Sequence, residues 1–152
     1  MGDPAGISPE LTAKVITLTE VRAAADLIVI GDARVLAAGA RVAGIEPDIE
    51  MRQGVQHCRV DARPVFIDLG NLDPARVELS MATRTGGEFA LANFRAALQL
   101  AASHGVDAVC FTPFNKAAMR SADPGYDDEI GYATEVLGTT GTATEFNIPE
   151  GF

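Results

Sequence analysis

Residues Leu27-Ile28-Val29-Ile30-Gly31-Asp32 are the most informative stretch of the chain for its fold class. Four consecutive apolar residues that end at a glycine are typical of a strand buried on both faces. Asp32 then suits an N-cap, and apolar residues recur at helical spacing until Gly44, which predicts a helix directly after the strand. Doubly buried strands followed by helices are typical of parallel sheets whose faces are covered by helices.

The same alternation extends in both directions from this stretch. A helix is expected near the start of the chain, with Ser8 as its N-cap, Pro9 at its first position and apolar residues as far as Leu18. The other predicted elements are strands at 48–55, 64–69, 107–112 and 145–148, a loop at 70–87, and helices at 88–104, 115–120 and 128–137. The pattern predicts an α/β fold, a three-layer α/β/α sandwich with a mostly parallel sheet.

The composition is that of a globular domain, with 152 residues of which 47% are hydrophobic and 22% charged. The net charge of −9 argues against nucleic acid and anionic membranes as partners, because both are bound by basic surfaces. No apolar run is long enough to span a membrane. Cys58 and Cys110 give no disulfide framework, and Cys110 is expected to be a buried, reduced thiol, which suits a cytoplasmic protein.

The opening segment Met1–Glu10 places two glycines and two prolines around Asp3, just before the first predicted helix. A turn of this kind exposes N–H groups at a helix start and presents the carboxylate to a ligand. The commoner role of such a segment is a capping turn with a solvated aspartate. The residues alone leave both roles open.

The segment Thr112-Pro113-Phe114-Asn115-Lys116 directly follows a predicted strand. In open α/β sheets, ligands bind beyond the carboxyl ends of the strands. Thr112 and Asn115 offer neutral hydrogen bonds, and Lys116 offers a compact positive charge that can hold an anion or polarise a hydroxyl. The alternative is a surface lysine on a short helix.

A third segment, Gly125 to Glu129, carries the acids Asp127, Asp128 and Glu129 just before a helix. Such acids bind substrate hydroxyls or a metal or, more commonly, cap the helix and complement its dipole. The glycine-rich stretch 138–144 is neither a P-loop nor a dinucleotide fingerprint and is expected to be a polar loop. The two histidines of the chain lack metal-ligand spacing and are assigned to no site.

Together these three segments resemble the 4-hydroxythreonine-4-phosphate dehydrogenase family. Residues 1–10 are similar to its hallmark start, in which glycine usually replaces Ser8, and residues 112–116 resemble its Pro-x-x-Lys segment. The chain departs from the family at 125–129, where the usual Gly-His-Thr-Glu helps to hold a phosphorylated substrate. Acids at that place disfavour a phosphate, because like charges repel, so the chain resembles a divergent branch.

The resemblance implies an NAD-dependent, divalent-metal-assisted oxidation of a hydroxyl on a small, sometimes phosphorylated hydroxy acid, with a role in pyridoxine biosynthesis. It implies a two-lobed homodimer that resembles isocitrate and isopropylmalate dehydrogenases, with residues 1–152 as a single amino-terminal lobe of a longer enzyme. The metal ligands (for zinc, magnesium or a similar ion) and most NAD contacts are expected beyond this chain, which alone is expected to be inactive.

Site roles follow from the same resemblance. Lys116 is the expected catalytic residue, in contact with the substrate or assisting proton transfer. The expected substrate-binding residues are Asp3, Thr112, Asn115, Asp127, Asp128 and Glu129. Two other functions stay open: a non-catalytic lobe that binds a small anion or a partner chain, and a different metal-dependent enzyme built on the acids at 127–129.

Overall fold

The computed structural model describes residues 1–54 and 63–146. The helices are α1 (Ser8–Val15), α2 (Thr19–Ala24), α3 (Ala33–Ala43), α4 (Arg84–Ala102), α5 (Lys116–Ala122) and α6 (Glu129–Leu137), with a 3-10 turn at Pro74–Arg76. The strands are β1 (Ile28–Gly31), β2 (Glu50–Gln53) and β3 (Val65–Asp68). His57, Cys58 and half of the strand predicted at 145–148 lie outside the described residues, and residues 145 and 146 are not in a strand.

The three described strands form one parallel sheet in the order β1-β3-β2. β3 lies in the middle, with Val65 opposite Ile28 on one side and Glu50 on the other. The predicted strand at 64–69 is thereby confirmed as the centre of the sheet, since Val65, Phe66 and Ile67 are fully buried. The strand predicted at 48–55 is confirmed with shorter bounds.

Helices cover both faces of this sheet. Phe66 packs against Ala13 of α1 and Leu36 of α3, whereas its neighbours in β3 pack against Leu100 of α4 on the opposite face. This division follows from the strand period of two, which points successive side chains to opposite faces. The three layers predicted from the sequence are confirmed.

The predicted helix ends agree with the structure for α3 but not for α1. Ser8 is not the N-cap of α1, because Ile7 holds that position without a side-chain cap, and α1 stops at Val15 rather than continuing to Leu18. Asp32 caps α3, and Gly44 ends it in a left-handed conformation, as predicted. None of the helices in the described part of the chain has the length and apolarity to cross a membrane.

The longest helix begins at Arg84, four residues before the predicted start, with Thr83 as its cap. Gly86 and Gly87 therefore lie inside the helix, although glycine pairs usually interrupt helices. The reason is packing, because a Cβ atom on Gly87 would collide with the carbonyl group of Ala118 in α5. Glycine lets the two helix backbones approach closely at this point.

The strand predicted at 107–112 is wrong. The segment is in no strand and is largely exposed, and Cys110 is exposed rather than buried. An apolar cavity of about 370 Å³ lies beside it, lined also by β1 and by Phe94 of α4. An apolar run reads as a strand in the sequence, but a strand also needs a neighbour with which to pair, and no described strand pairs with this segment.

Candidate functional site

The opening turn and the segment 112–116 meet although more than a hundred residues separate them in the chain. The amide of Asp3 donates to the carbonyl of Pro113 at 2.9 Å, and the amide of Gly2 donates to the Thr112 hydroxyl at 3.0 Å. A Cβ atom on Gly2 would collide with the carbonyl groups of Thr112 and Pro113. Glycine is therefore required for this close approach.

Met1 locates this junction on the sheet. The Met1 side chain lies directly over Gly31, the last residue of β1, so the turn lies at the carboxyl end of that strand. The α-amino group of Met1 donates to the Ile30 carbonyl at 2.7 Å, and burial lowers the pKa of this amine to about 5. Carboxyl ends of parallel strands are where α/β sheets bind ligands, which favours a site here.

A cluster of hydroxyl groups stabilises the contact between the opening turn and the segment 112–116. The Ser8 and Thr112 hydroxyls lie 2.6 Å apart, and Ser8 also accepts from the Gly2 amide at 2.9 Å. Thr12 extends the cluster with a weak contact of 3.4 Å to Thr112. The Thr112 oxygen is shared among these groups, so Thr112 stabilises the turn. Ser8 has the same structural role, although the sequence pattern predicted it to be a helix cap.

Asn115 links the opening turn to α5. Its side-chain oxygen accepts from the Ala118 amide at 3.2 Å, which makes it the N-cap of α5. Its amide nitrogen donates to a carboxylate oxygen of Asp3 at 3.3 Å, while the other oxygen of Asp3 accepts from the Ala5 amide. Asp3 and Asn115, predicted from separate motifs, therefore form one contact.

Lys116, the first residue of α5, forms an ion pair with Glu129, the first residue of α6. The Lys116 ammonium lies 3.1 Å from a carboxylate oxygen of Glu129, with side chains 50% and 22% exposed. Partial burial opposes the charge of Glu129, but hydrogen bonds from its own amide and from Lys116 hold the pKa of this carboxyl below its ordinary value. Glu129 is thus ionised at neutral pH, and both side chains of the pair are accessible from solvent.

Tyr126 lies beside this pair and was not predicted as a site residue. It is 4% exposed, and its buried hydroxyl makes no well-formed hydrogen bond to any described residue. Burial, followed by the nearby charge of Glu129, raises the pKa of the Tyr126 hydroxyl. The hydroxyl therefore lies close enough to the Glu129 carboxylate to help lower the pKa of Glu129. The geometry between the two groups is nevertheless not that of a well-formed hydrogen bond. An unsatisfied buried hydroxyl costs about 1–3 kcal/mol.

The other two acids of the third segment have local roles. Asp128 is the N-cap of α6 and accepts from the Gly131 amide at 2.7 Å, which is the commoner role considered for it. Asp127 is 93% exposed and lies 3.7 Å from Arg120, whose guanidinium also donates to the Asp127 carbonyl. Of the three acids, only Glu129 contacts Lys116.

A second polar cluster lies at the carboxyl ends of β1 and β3. Asp32 is fully buried and accepts hydrogen bonds from the Leu72 amide and from the amide and guanidinium of Arg34. Burial alone would raise the pKa of Asp32, yet these hydrogen bonds leave it below its ordinary value. Asp68 accepts from the amides of Ala33 and Gly70. The sequence signal was an aspartate at the end of each strand.

No metal centre is formed by the described residues alone. Within 1–54 and 63–146, no group of three or more His, Cys, Asp or Glu side chains is placed to hold a metal ion. The acids at 127–129 do not converge, because one caps a helix, one faces solvent and one pairs with Lys116. A metal-dependent enzyme built on this segment alone is therefore not supported.

Residues 23–150 match the family model described as pyridoxal phosphate biosynthetic protein PdxA. This match covers most of the chain, and the chain belongs to the PdxA family. A parallel sheet with helices on both faces is the α/β fold of this dehydrogenase family.

Two similar proteins are longer than this chain. The chain is 56% identical, over 151 residues, to a Rhizobium meliloti protein named for 4-hydroxythreonine-4-phosphate dehydrogenase. The match covers 99% of this chain and 43% of that protein. The chain is 32% identical over 139 residues to a protein named for D-threonate 4-phosphate dehydrogenase from Fusobacterium nucleatum, covering 91% and 41%. The chain thus spans less than half the length of these relatives.

A solved structure supports the fold. The crystal structure of a 4-hydroxythreonine-4-phosphate dehydrogenase from Burkholderia phymatum superposes with a TM-score of 0.82 at 27% sequence identity. The superposition covers 93% of this chain and 43% of that one. The chain corresponds to the amino-terminal part of such proteins.

Proposed function

We propose that residues 1–152 are the amino-terminal lobe of an NAD-dependent, metal-assisted dehydrogenase that oxidises a hydroxyl of a small hydroxy acid. The observation that carries this proposal is the meeting of three separate motifs at one place. Asp3 contacts Asn115 at 3.3 Å, and the next residue, Lys116, contacts Glu129 at 3.1 Å. Membership of the PdxA family and the names of the relatives support the same reaction class.

The residues of this lobe bind and orient the substrate in the proposed reaction. Lys116 has a half-exposed ammonium that donates to a substrate oxygen or stabilises negative charge as the hydroxyl is deprotonated. Asn115 holds Asp3 and the start of α5 in one arrangement, and this fixes the backbone from which Lys116 projects. The Thr112 hydroxyl accepts a hydrogen bond from the Gly2 amide and so stabilises the opening turn.

The cofactors in this proposal are NAD and a divalent ion such as zinc or magnesium. When bound, the metal would lower the pKa of the substrate hydroxyl and NAD would accept the hydride. The described residues do not by themselves fit a metal, and the sequence contains no GxGxxG fingerprint. We therefore assign neither group to a residue of this chain and place both with the remainder of a longer enzyme.

A two-lobed subunit, a homodimer and a cytoplasmic location belong to the same proposal. The two lobes and the dimer would follow from a fold in which this lobe and a second one enclose the substrate, as in isocitrate and isopropylmalate dehydrogenases. The acidic chain, with a net charge of −9, suits a small-molecule enzyme rather than a nucleic-acid or membrane partner. A measurement of activity distinguishes this proposal from the alternative, which is a non-catalytic lobe that binds an anion or a partner chain.

The test is a chimera in which this chain replaces the matching 43% of the Rhizobium meliloti relative. We expect the chimera to form NADH from NAD when given a divalent metal and hydroxy acids, including D-threonate and phosphorylated four-carbon acids. Lys116→Ala should lower kcat/KM by at least about tenfold, equivalent to about 1.4 kcal/mol of transition-state stabilisation.

The matched control is Lys14→Ala, because Lys14 is the only other lysine and forms a surface pair with Glu10. Its kcat/KM should stay within about twofold of the parent, as expected for an exposed pair. Unchanged kinetics in Lys116→Ala would remove that residue from the site. A folded chimera without NADH formation would favour the non-catalytic lobe.

A further inference from the structure

We infer that Asn93, a residue of α4 outside all three sequence motifs, is a positioning residue for the proposed reaction. Its side-chain amide holds the opening turn in the arrangement through which Asp3 and Asn115 fix the start of α5, and with it Lys116. This inference rests on the proposed function and adds to the site a residue that acts through the turn.

Asn93 is a polar side chain in apolar surroundings. It is 1% exposed, and together with Phe94 and Ala97 it lines the apolar cavity beside β1. A buried amide costs free energy unless its polar atoms find partners. Leucine has a similar size and would fill the same space without that cost. Packing alone therefore does not account for an asparagine at this position.

Both ends of the Asn93 amide have partners. Its nitrogen donates to the Met1 carbonyl at 3.1 Å, and its oxygen accepts from the side-chain amide of Asn71 at 3.1 Å. The Met1 carbonyl can only accept, which fixes the orientation of the amide. Asn71 follows Gly70, whose own amide donates to Asp68 at the end of β3. These contacts connect β3, α4 and the opening turn.

The Met1 carbonyl belongs to the peptide bond that leads into the candidate site. The other side of that bond is the Gly2 amide, which donates to two hydroxyl groups. Because a peptide bond is planar, partners on both sides fix its orientation. The next residue, Asp3, contacts Asn115, which caps the helix that begins at Lys116. A shift of the first peptide bond is therefore transmitted to Lys116.

The first test is Asn93→Leu in the chimera, with Gln99→Leu as its matched control. Both variants replace a side-chain amide of α4 by an apolar group, but Gln99 is exposed. We expect Asn93→Leu to lower kcat about tenfold with KM within about threefold of the parent, because misplacing a catalytic group affects the transition state more than binding. Gln99→Leu should match the parent within about twofold.

Asn93→Asp separates positioning from a merely structural role. A protonated aspartic acid offers a donor on one side and an acceptor on the other, as asparagine does, whereas the ionised form only accepts and repels the Met1 carbonyl. Burial raises the pKa of such an acid, so kcat of Asn93→Asp should approach the parent value near about pH 5.5 and fall about tenfold below it by about pH 8. Gln99→Glu should follow the parent, and circular dichroism checks that each variant is folded at both pH values.

Hydrogen exchange supplies a readout that does not depend on NADH formation. The Asp3 amide donates to the Pro113 carbonyl at 2.9 Å. In Asn93→Leu we expect this amide to exchange at least about tenfold faster than in the parent, because the turn opens more often. The Val65 amide, which donates to the Leu27 carbonyl within the sheet, should keep its parent rate.

Three results would overturn the inference. An unchanged exchange rate of the Asp3 amide in Asn93→Leu would show that Asn93 does not hold the turn. Faster exchange with unchanged kcat, or a loss of kcat in Asn93→Asp that does not reverse in acid, would make Asn93 a structural residue only. A chimera without NADH formation would count against the dehydrogenase proposal instead, and hydrogen exchange would still decide whether Asn93 holds the turn.

Discussion

Asp32 and Glu129 are both carboxylates paired with a basic side chain, but their surroundings differ. Asp32 is fully buried, lies 2.8 Å from Arg34 and also accepts from the Leu72 amide. Glu129 is 22% exposed, and its pair with Lys116 lies at the surface between two helices. In the first region the polar groups hold the loop and helix together. In the second region, the polar groups are accessible from solvent.

Packing, rather than charge, holds the second region in place. Phe94, Met119, Tyr126 and Tyr132 share one apolar cluster under Lys116 and Glu129. Phe94 and Tyr132 stack with their ring centroids 5.7 Å apart. Aromatic pairs of this kind contribute about 0.5–1.5 kcal/mol beyond their buried area. Apolar contacts therefore hold these helices together in addition to the Lys116–Glu129 pair.

The largest effect expected from this comparison is in Asp32→Asn. The substitution removes a buried charge that four hydrogen bonds satisfy, and we expect the free energy of unfolding to fall by about 3 kcal/mol. Urea denaturation measures this loss. The matched control is Asp127→Asn, which removes an exposed charge and should cost less than about 0.5 kcal/mol. A loss below about 1 kcal/mol in Asp32→Asn would contradict a structural role for the cluster.

A smaller loss is expected in Gly87→Ala, which tests whether packing positions Lys116. The new Cβ would collide with Ala118 and push α5 away from α4, and we expect about 1–3 kcal/mol of destabilisation despite the higher helix propensity of alanine. Gly86→Ala is the control, because the nearest atom to its Cβ is the Thr83 hydroxyl at 3.4 Å. That variant should be neutral or slightly more stable. Equal stability of the two variants would mean that α5 is not held by this contact.

The smallest effect on stability is expected in Glu129→Gln. An ion pair this exposed contributes at most about 1 kcal/mol. Because the folded pKa of Glu129 lies below its ordinary value of 4.5, the contribution is present above pH 4.5 and is lost as the pH falls through the folded value. Urea denaturation of parent and variant at several pH values should show a small difference at pH 7 that disappears in acid. A difference that grows in acid would have the wrong sign.

The sequence predicted the strands around Ile30 and Phe66 because their apolar runs end at turn residues and sit between amphipathic helices. It failed at 107–112, where the same kind of run lies next to a cavity without a pairing strand. Local apolarity is a property of the segment, but strand pairing is a property of what lies beside it. For the same reason Cys110 is exposed although its neighbours in the sequence are apolar.

For the candidate site, the sequence supplied the motifs but not their contacts. Motif similarity pointed to Asp3, Asn115 and Lys116, and the structure places the first two in contact and the third beside them. It gave no signal for Tyr126, because an unsatisfied buried hydroxyl is recognisable only when all surrounding atoms are placed. It also assigned Ser8 to a cap, since Ser-Pro-Glu is a common helix start.

By itself, the sequence determined the α/β class, the caps of α3, and the residue types available for chemistry, because these depend on periodicity and on local hydrogen bonding. Only the tertiary structure decided which charges are structural and which are accessible. Asp32 is the N-cap of α3 and Glu129 is the first residue of α6, but neither position by itself shows how deeply the carboxylate is buried. Their difference comes from burial and from distant partners such as Leu72 and Lys116, which folding brings together.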